Sequence, residues 1–210
     1  GNCEITIQLG EFIGIRGMSG SGKTTLALIL SGLDRDFDGS LRIFSRENSD
    51  TPTIAAMLQP SVPHSLEPTL PGVIYVGPQP MIFSDTVVNN VSFGQDTSLN
   101  CEKTRRCLEA CELKHLAGDL HQMVGPGGRI ISAGEAQRLA FARVLFFAPA
   151  YLILDEATGS MDEKTEENVF AALQKALPLA GGVVISHRAS TYRFAQRQLT
   201  LSPEGALQES

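Results

Sequence analysis

Residues 17 to 25 read Gly17-Met18-Ser19-Gly20-Ser21-Gly22-Lys23-Thr24-Thr25, after an apolar stretch and before a second one. Glycines let successive backbone N–H groups turn to one side, and a helix that starts at their end adds a partial positive charge. A polyphosphate is favoured in such a cradle. Lys23 is placed to reach the β- and γ-phosphates, and the Thr24 hydroxyl to ligate Mg2+. Further along, the apolar run Tyr151-Leu152-Ile153-Leu154 ends in Asp155-Glu156. A carboxylate at the carboxyl end of a buried strand lies in the crevice where open α/β sheets bind ligands. Asp155 is expected to hold Mg2+, directly or through water, and Glu156 to orient and polarise an attacking water. The plain alternatives are a chance glycine-rich turn and an acidic pair that caps the next helix. Both motifs in one chain favour the chemical reading.

The elements that position these residues alternate between strand and helix at both ends of the chain, which predicts α/β layers on a mostly parallel sheet. Ile5 to Leu9 alternates like a half-exposed strand, Phe12 to Arg16 is a second strand leading into the glycine-rich turn, and Thr24 to Leu30 reads as a buried helix. Leu41 to Phe44 is a short strand. Residues 51–71 carry Pro52, Pro60, Pro63, Pro68 and Pro71 without periodicity and are expected to form an irregular surface insertion. Val73 to Val76 resumes a strand. The stretch from Asp85 to Ala117 reads as largely helical, and a long helix follows Ala133 with Leu139, Ala142 and Phe146 facing a core. Tyr151 to Leu154 suits a strand buried on both faces. A helix over Glu163 to Leu177 and strands at Gly182 to Ile185 and Gln198 to Leu201 complete the reading.

Composition narrows the class. An apolar content of 42% and 19% charged residues describe an ordinary globular chain, and no apolar run reaches the ~18–20 residues that span a bilayer. The net charge of −6 disfavours a broad nucleic-acid surface. Four cysteines, Cys3, Cys101, Cys107 and Cys111, lack the histidines or further cysteines that would complete a metal site. Cys107 and Cys111, one helical turn apart, are expected to pack in a core, and a reducing cytosol fits. The chain starts at Gly1 with no signal-peptide pattern and is read as a piece of something longer.

With these motifs placed, the chain resembles over essentially its whole length the nucleotide-binding domain of an ABC transporter. Ile131-Ser132-Ala133-Gly134-Glu135-Ala136-Gln137-Arg138, directly ahead of a helix, resembles the family signature L-S-G-G-Q-x-Q-R. The chemistry needs a helix N-terminus whose Ser132 hydroxyl and Gly134 N–H meet a γ-phosphate. In the family that phosphate belongs to ATP on the opposite subunit. Ser132 and Glu135 would equally satisfy an ordinary capping box. Val183 to Arg188 resembles the switch strand with its histidine, His187, and Gly159-Ser160-Met161-Asp162 the D-loop, whose Asp162 would contact the other subunit. Phe83 to Val91 and Val124 to Gly128 resemble exporter-type members. The resemblance implies a P-loop NTPase fold: a RecA-like core (residues 1–84 and 146–210), a helical subdomain (85–145) and an antiparallel β-subdomain truncated at its front. It implies ATP and Mg2+ as ligands, Lys23, Glu156 and His187 as catalytic groups, and a second nucleotide-binding domain, identical or not, as partner. Transmembrane domains would be the other partners, at the cytoplasmic face of a membrane, with no nucleic acid. The function implied is substrate transport driven by ATP-dependent closure of two such domains. The rivals are a soluble ABC ATPase, which would carry coiled-coil insertions or tandem cassettes, and a regulatory module that binds ATP with little hydrolysis.

The pattern departs from the family in places. In Tyr75-Val76-Gly77-Pro78-Gln79-Pro80, Pro78 occupies the position of the Q-loop glutamine, so Gln79 would serve Mg2+ and the attacking water only if the loop shifts by one residue. Gln59 is a weaker substitute. Pro126 replaces a glutamate, and Ala133 and Glu135 replace a glycine and a glutamine of the signature, which predicts reduced or retuned activity and not its abolition. The aromatic that stacks on adenine in the family would precede residue 1. Half of each ATP site must come from another domain, so the chain alone is expected to be a poor ATPase.

Overall fold

The computed structural model describes residues 5–8, 10–38, 41–45, 53–58, 72–94 and 98–209. A six-stranded sheet forms the centre. It contains β1 (Phe12–Arg16), β4 (Val73–Val76), β7 (Tyr151–Asp155), β8 (Gly181–Ile185), β9 (Arg197–Leu201) and β10 (Leu207–Glu209), in the order β10-β9-β1-β8-β7-β4. Every pairing is parallel except that of β10 with β9 at the edge. Parallel strands are covered on both faces, and the side-chain alternation shows it. Leu152 and Leu154 of β7 enter one core with Val184 of β8, and Ile153 enters the other with Val183 and Ile185.

The second core is closed by α1 (Lys23–Leu30), which buries Ala27 and Leu30. The first is closed by α5 (Ala133–Phe147) and α6 (Glu163–Ala176). Leu139, Phe141 and Val144 of α5 are fully buried, each contributing about 1.5–3 kcal/mol of apolar transfer. Around α5 gather β5 (Asp85–Thr86), α2 (Val87–Ser92), α3 (Ser98–Ala110), α4 (Lys114–Ala117) and β6 (Met123–Val124). Asn90 explains the spacing from Phe83 onward. Its carboxamide is fully buried, accepting from the Phe83 N–H (2.8 Å) and donating to the Phe83 carbonyl (3.0 Å), while Thr86 caps α2.

Three expectations need correction. Thr53–Leu58 is a strand, β3, paired antiparallel with β2 (Leu41–Ser45), so the irregular insertion expected over 51–71 contains part of a hairpin. Long-range pairing decided this where local propensity, with two alanines and flanking prolines, did not. Residues 5–8 form no strand, although Ile5 and Ile7 do alternate inward against the second core; local bonds such as Glu11 N–H to the Gln8 carbonyl (3.1 Å) replace a ladder. The helical stretch from Asp85 opens on β5, which pairs with β6 across the subdomain. Cys107 and Cys111 lie in the first core, and no helix among the described residues is long and apolar enough to cross a membrane. Cys3 and Gln59 lie outside the described residues.

Candidate functional site

The site assembles at the carboxyl ends of three consecutive parallel strands. Ile15 of β1 pairs with Ile185 of β8, and Ile185 with Asp155 of β7. The glycine-rich loop, the histidine segment and the acidic pair therefore leave the sheet side by side. Tyr192 ties two of them together. Its ring packs where Gly14 has no side chain (a Cβ there would collide with Cδ1), and its hydroxyl reaches the carbonyls of Ile15 (2.9 Å) and Ser186 (2.5 Å).

In the loop, Gly20 and Gly22 have φ of 81° and 92°, in the left-handed region that glycine adopts without strain, with open space where a Cβ would be. Gly22 caps α1 with no side-chain hydrogen bond, so the helix's first amides are not consumed by a cap. Gly17 is required by contact: a Cβ would lie 2.6 Å from the Leu201 carbonyl. The Lys23 ammonium is folded back into the cradle, donating to the carbonyls of Gly17 (2.9 Å) and Met18 (2.8 Å). The Ser21 hydroxyl is buried without a partner. Met18, Ser19, Thr24 and Thr25 are exposed. A cation held only by carbonyls and an orphaned buried hydroxyl both fit a loop built for an oxyanion.

Asp155 is buried, and the Tyr75 hydroxyl donates to its Oδ2 at 3.4 Å. Burial, then the charge and hydrogen bond of Asp155, push the Tyr75 phenol up to about 12. Glu156 departs from the strand at φ 51°, a strained conformation for a non-glycine, while its N–H donates to the Ile185 carbonyl (2.9 Å). Its Oε1 is buried with no hydrogen bond, 3.5 Å from Nε2 of the largely exposed His187. Thr24 and Asp155 offer one hydroxyl and one carboxylate, and no group of three metal-binding side chains exists among the described residues. Such a sparse set fits Mg2+ bound together with substrate phosphates better than a protein-only cage.

Ser132 caps α5 in a reciprocal box: its Oγ accepts from the Glu135 N–H (3.2 Å), and Glu135 Oε2 accepts from the Ser132 N–H (2.9 Å). Glu135 Oε1 accepts from Arg129 Nη2 (2.8 Å) and lies 2.7 Å from His115 Nε2. Burial opposes ionisation of Glu135, but the bonds from Ser132, Arg129 and His115 outweigh it and hold the carboxyl at about 2. Ala133 follows the cap, and a Cβ on Gly134 would lie 2.9 Å from the Ser160 carbonyl. Asp162 caps α6 through the Thr165 N–H (2.9 Å) and hydroxyl (2.8 Å), bonds that lower its carboxyl. Gln79 is exposed, makes no hydrogen bond to Asp155 or Thr24, and lines an open groove of ≈ 460 Å³ with Met81, Phe93, Arg143 and Phe147.

Three residues with no role in the motif reading tie these pieces together. The buried Gln137 amide donates to the Pro78 carbonyl (3.1 Å) and accepts from the Ser160 N–H (2.8 Å). Arg188 donates to the carbonyls of Met161 (2.6 Å) and Gly159 (3.2 Å). Glu166, fully buried, accepts from the hydroxyls of Thr158 (2.5 Å), Thr191 (2.6 Å) and Ser190 (2.7 Å). Gln137 and Arg188 sit inside the signature and switch segments. Their roles depend on contacts across the fold, which spacing does not reveal.

Sequence comparison agrees with this geometry. The family described as ABC transporter matches residues 1–159. The human "ATP-binding cassette sub-family B member 5" is 34% identical over 208 residues, which are 98% of this chain and 15% of that protein. An "ATP-dependent lipid A-core flippase" of Paraburkholderia xenovorans is 34% identical over 199 residues, 91% of this chain and 30% of that protein. A "Sophorolipid transporter" of Starmerella bombicola is 29% identical over 217 residues, 98% of this chain and 16% of that protein. The chain spans less than a third of the length of each of these relatives.

Proposed function

This chain belongs to the ABC transporter family as a nucleotide-binding domain of the exporter type, and we propose that it binds and hydrolyses ATP to drive export of a substrate across a membrane. The observation that carries the reading is the register Ile15–Ile185–Asp155, which sets the glycine-rich loop, His187 and the acidic pair side by side. In this reading the amides of residues 17 to 25 and the start of α1 take the phosphates. Lys23 exchanges its two carbonyl partners for β- and γ-phosphate oxygens, a charge-assisted pairing stronger than the bonds it gives up. Thr24 and Asp155 hold Mg2+, which when bound offsets the charge that develops on the transferred phosphoryl group.

Glu156 receives a proton from the attacking water at its unpartnered Oε1, and His187 holds that carboxylate and meets the γ-phosphate. Ser132, Ala133, Gly134 and Glu135, at the start of α5, present their helix N-terminus to the γ-phosphate of ATP on a second domain, with Asp162 at the same interface. Two domains then close on two nucleotides, and transmembrane partners at the cytoplasmic face of the membrane take up the motion. The departures at Ala133 and Glu135 retune the rate without abolishing turnover.

Glu156→Gln in the full transporter tests the reading. The amide keeps its size but takes no proton, so turnover should fall by about 10² or more while ATP-dependent dimerisation persists. Hydrolysis by this variant at the parent's rate would show that Glu156 is not the proton acceptor. A parent that binds ATP without turnover would favour the regulatory module.

A further inference from the structure

We propose that Arg129 and His115 are positioning residues that offset the charge of Glu135, so that the N-terminus of α5 can take a second anion, the terminal phosphate of ATP; this rests on the function proposed above. A carboxylate in the first turn of a helix complements the macrodipole, yet Glu135 stands beside Ser132 and Gly134, where an incoming phosphate would be met. Two anions at one helix start repel, and the family's glutamine at this position would raise no such conflict.

The structure resolves the conflict with groups drawn from outside α5. His115 comes from α4 and Arg129 from the segment after β6, and both converge on Oε1 of Glu135, at 2.7 and 2.8 Å. Oε2 is spent on the Ser132 N–H. Arg138, one turn further along α5, donates to the carbonyls of Gly134 (3.3 Å) and Glu112 (3.2 Å) and leaves Glu135 to the other two. The cap engages the amides of Ser132 and Glu135 and not those of Ala133 and Gly134, and the Ser132 hydroxyl accepts, so its own proton is free to donate. Arg129 is not placed for its own benefit: its Nη1 is buried without a partner, a loss tolerated where the other nitrogen holds a charge.

The test is a double-mutant cycle on ATP hydrolysis by the full transporter. His115→Gln and Arg129→Gln should each raise KM for ATP by on the order of tenfold, the scale of one lost charge-assisted bond, and change kcat by less than about twofold. In a Glu135→Gln background the same substitutions should shift KM by less than about twofold, because no charge is left to offset. Arg129→Lys, which keeps a cation at that place, should restore KM, as should His115→Lys, which supplies one. Equal effects in both backgrounds, no effect in either, or a joint fall of kcat and thermal stability that lysine does not rescue would overturn the proposal. A parent with no turnover would instead refute the proposed activity. The cycle is then read from equilibrium ATP affinity on the same variants, with the same outcomes.

Discussion

Replacing Glu166 should separate the support of the catalytic segment from its chemistry. The side chain is fully buried, and three hydroxyls donate to it: Thr158 and Thr191 to Oε1, Ser190 to Oε2. Thr158 lies two residues beyond Glu156, and Ser190 and Thr191 lie just beyond His187, so one carboxylate fixes the flank of both groups. In Glu166→Ala the donors fare differently. Thr191 retains the Ser186 hydroxyl at 3.1 Å, and Ser190, only part-buried, can turn to water. Thr158 is 3% exposed and has no substitute, which costs about 1–3 kcal/mol. The vacated volume adds about 1–2 kcal/mol. The sum, about 3 kcal/mol, corresponds to a fall in Tm of roughly 6–12 °C for a domain of this size. Glu166→Gln retains an acceptor oxygen for the two threonines and should cost about 1 kcal/mol, or roughly 2–4 °C. Thermal unfolding followed by circular dichroism reads both values, and ATPase assays below either transition should show a lower kcat for the alanine variant. An alanine variant within about 2 °C of the parent, or a glutamine variant as unstable as the alanine one, would refute the clamp.

Two further outcomes follow from the signature region. Because the Glu135 carboxyl sits near 2 against an ordinary 4.5, its contribution to stability is complete above about pH 4.5 and disappears as the pH falls toward 2. The full shift would be worth about 3.4 kcal/mol, but His115 is 46% exposed and Arg129 33%, so screening reduces it to about 1–2 kcal/mol. Urea unfolding at pH 7 and pH 3 should show Glu135→Gln lacking that part of the acid loss; an unchanged pH dependence would contradict it. Gly134→Ala brings a methyl to 2.9 Å from the Ser160 carbonyl, and although alanine suits a helix better, the D-loop must move. ATP turnover should drop roughly tenfold with little loss of stability, and normal turnover would show that the contact does not position the loop.

The parts legible in the sequence are those encoded over a few neighbouring residues. The phosphate loop needs glycines, a lysine and a helix start in immediate succession, and the strand before Asp155 needs only an unbroken apolar run, so both were readable with near-correct ends. Alternation over Ile5 and Ile7 was equally readable as a burial pattern, but whether such a segment joins a ladder depends on a partner strand elsewhere in the chain. The same holds for Thr53–Leu58, and for Asp85–Thr86 pairing with Met123–Val124. Glu135 illustrates the limit within a site. Its place in a capping box follows from a spacing of three, whereas the two groups that hold its other oxygen come from 20 and 6 residues away. Gln79 shows the converse: a residue type that suits a role at Mg2+ lies on an exposed loop that lines a groove.

Gln137 and Arg188 matter because of what they join. The D-loop, from Gly159 to Asp162, is gripped on one side by the Gln137 amide and the close face of Gly134, both on α5, and on the other by Arg188, which follows His187. The two grips act on adjacent backbone groups: Gln137 on the Ser160 N–H, Arg188 on the carbonyls of Gly159 and Met161. A displacement of α5 against the sheet must therefore carry the loop with it or break the part-buried Gln137–Ser160 hydrogen bond, which costs about 1–3 kcal/mol for the buried Gln137 oxygen left unpaired. Carrying the loop pulls on Arg188 and so on the neighbouring histidine that faces Glu156. Since α5 presents its start to one nucleotide and Glu156 serves the other in the proposed dimer, a single chain holds the mechanical link between the two sites. That link runs through backbone atoms, so it survives substitution at Ser160 or Met161 far better than at Gln137 or Arg188.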